Sequence, residues 1–222
     1  MRKRWILGVV GVLVLFLAGC GDGGSPHPPP PLNVVDILSS DGALDGDITF
    51  DPLAPVGFEY SPVISSTPPN IVLVGFDPLA LTPRPESRGF ITFALGSVPP
   101  GAIISRATVF LPVLRVSLIS PPSVVLLIDM VSFAPLDTLT QEELAATFLT
   151  TPILLGPSVE VFPGDAGTDK TFDATDAVIK ARNLGLSRLQ LRITGSFGLL
   201  TIVDLDPELG GIPPLLSVEY TF

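Results

Sequence analysis

From Leu32 onward, short apolar runs alternate with Pro, Gly, Asp and Ser, a pattern of strands separated by turns. Residues 70–76 are rich in Ile, Val and Leu. In 88–95, Ile91, Phe93 and Leu95 share a face. In 103–111, Ile103, Ser105, Ala107, Val109 and Leu111 do the same. Residues 123–133 form a long apolar strand candidate. The clearest alternation is 188–193, where Leu189, Leu191 and Ile193 point one way and Arg188, Gln190 and Arg192 the other. The final run sets Leu216, Val218, Tyr220 and Phe222 opposite Ser217, Glu219 and Thr221. Successive strand side chains point to opposite faces, so a period of two with one apolar face predicts packed antiparallel sheets.

Two stretches leave this pattern. Thr140-Gln141-Glu142-Glu143 is a capping box and predicts a short helix through Leu144, Ala145 and Phe148. Asp173 is placed to cap a second helix over 174–184, which buries Ala177, Val178 and Ala181 and stops at Gly185. Both are expected to cross over the ends of a sandwich. Phe50-Asp51-Pro52-Leu53-Ala54 recurs as Phe76-Asp77-Pro78-Leu79-Ala80. Two copies make no solenoid, and the repeat reads as a strand end followed by an Asp-Pro turn, used twice. The opposing architecture is an outer-membrane barrel, whose last strand the run to Phe222 resembles. Barrels need aromatic girdles and uninterrupted strands of about 9–11 residues. Pro112, Pro121, Pro122 and Pro135 interrupt this strand region and remove ladder donors.

Composition narrows the chemistry. The 222 residues are 46% hydrophobic and only 15% charged, too apolar for a disordered chain, and suit one domain with a tether. The only His, His27, lies in the proline run 26–31, which excludes a Ser-His-Asp triad, a Cys-His pair and a His-based metal site. A net charge of −10 argues against nucleic acid. A single Cys forms no internal disulfide. Paired carboxylates, as in glycosidases, occur in any acidic chain and nothing selects a pair, so no enzyme is expected.

The N-terminus has the form of an export signal. Arg2, Lys3 and Arg4 precede an uncharged run over residues 5–21. As a helix that run would measure about 25 Å, short against a hydrocarbon core of about 30 Å. It ends in Leu17-Ala18-Gly19-Cys20, which resembles the bacterial lipobox. The resemblance implies cleavage between Gly19 and Cys20, acylation of Cys20 with chains such as palmitate, and a membrane-held lipoprotein. One chain anchors poorly, whereas several anchor durably. Gly21, not Asp, follows Cys20, so an inner-membrane retention signal is not displayed and a Gram-negative source would place the protein at the outer membrane. Removing residues 1–19 takes away three basic residues and the only Trp, Trp5, and moves the formal charge from −10 to −13. Anionic head groups are expected to repel such a body, leaving the lipid to hold it. A flexible Gly21-Asp22-Gly23-Gly24-Ser25 and a stiff Pro-rich run read as a spacer, with residues 20–44 as tether and 45–222 as the domain.

The stretch 88–111, with Phe93, the Pro99-Pro100-Gly101 turn, Ile104, Ala107 and Val109, resembles the opening of DNRLRE-type domains. Phe172-Asp173-Ala174-Thr175-Asp176-Ala177-Val178 and the closing Pro214-Leu215-Leu216-Ser217-Val218-Glu219-Tyr220 are similar to later segments of that family, in the same order. The resemblance implies an all-β fold, an antiparallel jelly-roll β-sandwich with two short crossover helices. Relatives occur in bacterial surface proteins and include alginate-binding modules. A non-catalytic binding or scaffolding domain of the cell envelope is therefore expected, with an acidic polysaccharide or another envelope protein as alternative partners.

Candidate ligand residues are few. Arg188, Gln190 and Arg192 form an outward row on one strand, with guanidiniums suited to uronate carboxylates. Arg106 is expected outward on another strand. Tyr60, beside Phe58 and Glu59, is the one candidate exposed stacking ring, while Tyr220 is assigned to the core. No cofactor is expected. Structural calcium is the one metal considered, at Asp41, Asp45 and Asp47 or at Asp204, Asp206 and Glu208, and turn-forming Asp is the plainer account of both.

Overall fold

The computed structural model describes residues 32–66, 70–80, 82–118, 122–150, 158–196, 198–203 and 212–222. The lipobox, His27, and Asp204, Asp206 and Glu208 lie outside the described residues. The strands are β1 (Asn33–Ser39), β2 (Gly46–Phe50), β3 (Tyr60–Ile64), β4 (Ile71–Phe76), β5 (Glu86–Ala94) and β6 (Ile103–Ser117). They continue with β7 (Val124–Val131), β8 (Val159–Val161), β9 (Asp169–Asp173), β10 (Arg188–Gly195), β11 (Leu199–Val203) and β12 (Leu215–Thr221). The helices are α1 (Gln141–Leu149) and α2 (Thr175–Asn183).

These elements build an all-β antiparallel sandwich of the jelly-roll kind. One sheet runs β1-β12-β6-β9. The other contains β3-β2-β5-β10-β7-β8, with β4 joining β5 at Gly75–Ser87 and Phe76–Glu86 and pairing with β11. β6 belongs to both, because its first part pairs with β12 and its last part with β11. Pro112 sits between those two ladders. Val113 donates to Thr168 O on the β9 side (2.9 Å), so alternation turns the Pro112 nitrogen toward the gap and no ladder bond is lost. The inner faces interdigitate in one core that includes Phe93, Val109, Leu126, Leu191, Ile202 and Val218.

The predicted alternation holds in β5, β10 and β12 and fails at the start of β6. There Glu219 pairs with Arg106 but Tyr220 with Ile104, so Ser105 is an extra residue in a bulge. The slip turns Ile104 against the core and leaves Ile103 69% exposed. Arg106 is exposed, as expected. Phe222 also lies outside the core, its ring edge-on to Tyr220 at 5.5 Å. The polar-flanked β1 gains its partner only from β12 at the far end of the chain.

α1 forms where its capping box predicts, while α2 has Ala174 and not Asp173 at its cap position and no side-chain cap bond there. The Thr140 N–H donates to Glu143 Oε2 (2.8 Å) and the Thr140 hydroxyl accepts from the Glu143 N–H (3.4 Å). Asp173 Oδ1 accepts from the Thr175 N–H (2.8 Å), and Gly185, at φ +69°, ends α2. The repeated pentapeptide makes the same turn twice: Asp51 Oδ1 accepts from Leu53 N and Asp77 Oδ1 from Leu79 N, each at 2.9 Å. Phe50 and Phe76 both pair with Glu86, so the two turns flank the start of β5.

The outer face of β5 and β10 is covered as well. Ile48, Phe90, Leu136, Leu144 and Phe148 form a second, smaller core there. Two buried carboxylates staple β2 into place. Asp45 Oδ1 accepts from Thr92 N of β5 (2.6 Å), and Asp47 Oδ1 accepts from Leu73 N of β4 (3.1 Å). Burial pushes the Asp47 carboxyl up to about 6, against the lowering effect of the Leu73 and Thr49 hydrogen bonds. An acid raised in the folded state from 3.8 to about 6 contributes stability below the lower value and loses it as pH rises through the higher. Asp47→Asn should therefore gain stability relative to wild type between about pH 4 and about pH 8, by up to roughly 3 kcal/mol at ~1.4 kcal/mol per pKa unit. Urea unfolding at both pH values measures this; an unchanged difference contradicts it.

Candidate functional site

The strand β10 side that carries Arg188, Gln190 and Arg192 is roofed instead of open. Arg188 is exposed at the strand start. Gln190 is tied to the Phe133 backbone, its Oε1 accepting from Phe133 N (3.2 Å) and its Nε2 donating to Phe133 O (3.0 Å). Arg192 is 1% exposed. The expected outward row is thus corrected to one exposed guanidinium, one bracketing amide and one buried guanidinium. Alternation distinguishes the two faces of a strand, but it does not make the polar one wet.

Arg192 is buried because every donor has an acceptor. Nε and Nη2 donate to Asp129 Oδ2 (3.2 and 2.8 Å), Nη1 to Thr147 O and Phe148 O (3.2 and 2.9 Å), and Nη2 also to Thr150 O (2.7 Å). The three carbonyls are at the C-terminal end of α1, where helix acceptors lack partners and the dipole is negative. The last turn of α1 contains no basic residue of its own. Arg88 on β5 supplies a second cation: its Nη1 donates to Phe148 O, its Nε to Glu86 Oε1 (2.7 Å), and it lies 4.0 Å from the Phe148 ring centre.

Strand register sets these groups in two rows. Phe90, Arg192 and Asp129 lie across β5, β10 and β7, and Arg88, Thr194 and Leu127 lie in the next row on that face. With Leu149 and Thr150 from the end of α1, the polar members and Leu127 line a cleft of about 290 Å³. Asp129 is 2% exposed and its Oδ1 has no hydrogen-bond partner. The cleft walls therefore present the Thr194 hydroxyl and two apolar side chains over the buried Asp129 Oδ1, while each arginine already has a carboxylate partner. That suits an uncharged donor such as a hydroxyl. The cleft hydroxyls of Thr150 and Thr194 have no imidazole to activate them, as His27 is the only His in the chain.

The other candidates are placed elsewhere. Tyr60 is half-buried, its backbone held at both ends by the Gln141 side chain (3.1 and 2.6 Å) and its ring packed on Phe50 and Phe148 (5.1 and 5.4 Å). It closes the second core and is not the exposed platform that was expected. Asp41, Asp45 and Asp47 are engaged separately, with the amides of Ala43, Thr92 and Leu73. Among the described residues no group of three His, Cys, Asp or Glu side chains gathers. Asp129 and Arg88 were not singled out from the sequence. The available signal was the lone charge of Asp129 in the apolar run 124–131, which calls for a buried partner.

Compared with known proteins, the chain matches no protein-family model, and no curated protein matches it.

Arg192→Met should cost about 3–5 kcal/mol, because Asp129 is left as an unpaired buried charge. Combining it with Asp129→Leu should restore a large part of that loss. Chemical denaturation of the two variants provides the measurement, and a double variant no more stable than the single one contradicts the assignment.

Proposed function

We propose that this chain is a lipid-anchored cell-envelope protein whose jelly-roll domain binds or scaffolds and does not catalyse. The observation that carries the reading is the run of Arg2, Lys3 and Arg4, an apolar segment and Leu17-Ala18-Gly19-Cys20, with the sole Cys at the acylation position. The DNRLRE-type resemblance supports a surface-protein domain, and Gly21 supports the outer membrane where the source has one. The body supports the non-catalytic part, since the charged groups buried deepest, Asp45, Asp47 and Arg192, hold backbone amides and carbonyls. Cys20→Ser should leave an unprocessed, unacylated precursor. Mass spectrometry of the wild-type N-terminal peptide decides the matter, and an unmodified Cys20 there overturns the anchor.

A second reading, a saccharide-binding module, is favoured by the cleft at Asp129. The buried acceptor between Leu127 and Leu149 suits the mixed polar and apolar surface of a sugar. A glycan and cell-wall-polymer screen with the full chain should find a ligand lost in Leu127→Trp, which fills the cleft mouth. Binding that survives this substitution places the ligand elsewhere.

A further inference from the structure

The N-terminal end of the described body has its own surface chemistry. β1 starts with Asn33 paired to Thr221, and Thr221 pairs in turn with Ile103. Leu32, Ile103 and Phe222 thus lie at one end of the sandwich, all exposed (67%, 69% and 62%). Ile103 shares a groove of about 230 Å³ with Arg182 and Asn183 at the end of α2. Arg182, Asn183 and Gly185 line a neighbouring groove of about 310 Å³ with Pro99 and Pro100. Between Asn183 and Gly185 stands Leu184, 62% exposed. Apolar side chains and a cation are therefore contiguous on this end.

Its charge differs from that of the whole chain. Residues 32–35, 99–104, 179–186 and 220–222 contain Lys180 and Arg182 and no Asp or Glu of their own, and Asp36 touches them, its Oδ2 accepting from the Tyr220 hydroxyl (3.1 Å). Neither cation makes a salt bridge among the described residues. With Asp36 counted beside Lys180 and Arg182, the local sum is +1. The opposite end of β6, at Ser117, lies beside Leu199 and through it Gly75, where the twin turns present Leu53 and Leu79 next to Asp51 and Asp77.

We infer that the end carrying Leu32, Ile103, Leu184 and Phe222 seats on the lipid bilayer, its apolar side chains entering the interfacial region and Lys180 and Arg182 facing anionic head groups. This rests on the lipid-anchor reading. The chain joins the body at this end, and Cys20 lies twelve residues before Leu32, a reach of at most about 40 Å. Of the body's surfaces, this end is therefore the one nearest the anchor along the chain. Net negative charge does not prevent the contact, because salt screens repulsion beyond about 10 Å and the two cations at this end outnumber Asp36. An exposed apolar cluster rimmed by basic side chains is the composition of an interfacial contact.

The experiment uses full-length lipoprotein in vesicles of phosphatidylcholine with about a third phosphatidylglycerol. Leu184→Cys and, at the opposite end, Leu79→Cys receive a nitroxide, and collision with oxygen is compared with collision with a water-soluble nickel chelate. The label on position 184 should favour oxygen and that on position 79 the chelate. With Lys180→Glu and Arg182→Glu added, position 184 should move toward the chelate while the protein stays with the vesicles. Each cation near an anionic surface multiplies residence roughly fivefold, so reversing both should lower the seated fraction by more than ~20-fold. Equal chelate access at both positions in vesicle-bound protein overturns the seating and leaves the anchor standing. Nitroxide attached to wild-type Cys20, or protein that does not stay with vesicles, overturns the anchor itself.

Discussion

A guanidinium has five N–H donors and no acceptor, so it survives burial only where acceptors meet all five donors. Arg192 finds them in one carboxylate and the end of α1. Much follows from that single solution. α1 must end above β10, which brings Leu144 and Phe148 down on Phe90 and Ile48 and creates the second core. Asp129 must lie opposite Arg192 on β7, which gives an otherwise apolar strand its one charge. Arg88 completes the arrangement from β5, so three adjacent strands are locked to one short helix. A helix of nine residues is marginal alone, and here tertiary contacts at its end supply what its own sequence lacks.

The same arrangement accounts for the cleft. Asp129 spends Oδ2 on Arg192 and leaves Oδ1 without a partner beside Thr194. A fully used polar network rigidifies a fold, and this one stays incomplete at the buried Asp129 Oδ1. The cleft is thus an edge of the structural network and not a separate device. The residues that line the cleft also hold the end of α1, so a change in one alters the other.

Local patterns in the sequence were sufficient for the features that depend on local geometry. The alternation of Leu189, Leu191 and Ile193, the Thr140 capping box, the Gly185 stop and the paired Asp-Pro turns all describe neighbours a few residues apart, and each forms as read. What was not legible depends on pairing at a distance. β1 needs β12, and the bulge at Ser105 is a mismatch between strands about a hundred residues apart. The misplaced site has the same origin. Nothing within 188–193 reveals that α1 covers Arg192 or that Gln141 clasps Tyr60. A polar side chain in an alternating strand states only that it needs hydrogen bonds, and here the protein provides them where water was expected to.

The edge position of β1 also has a mechanical meaning. Its seven residues link residue 32 to the rest of the domain. The bonds to β12 run perpendicular to the strands. A pull along β1 toward its N-terminus loads them side by side and in shear, so the ladder resists as a unit. A pull outward from the sheet opens the Asn33–Thr221 pair first and then each following pair alone. The domain is consequently firm against tension along its long axis and weak against peeling from its side, an anisotropy set by strand direction at the point of attachment.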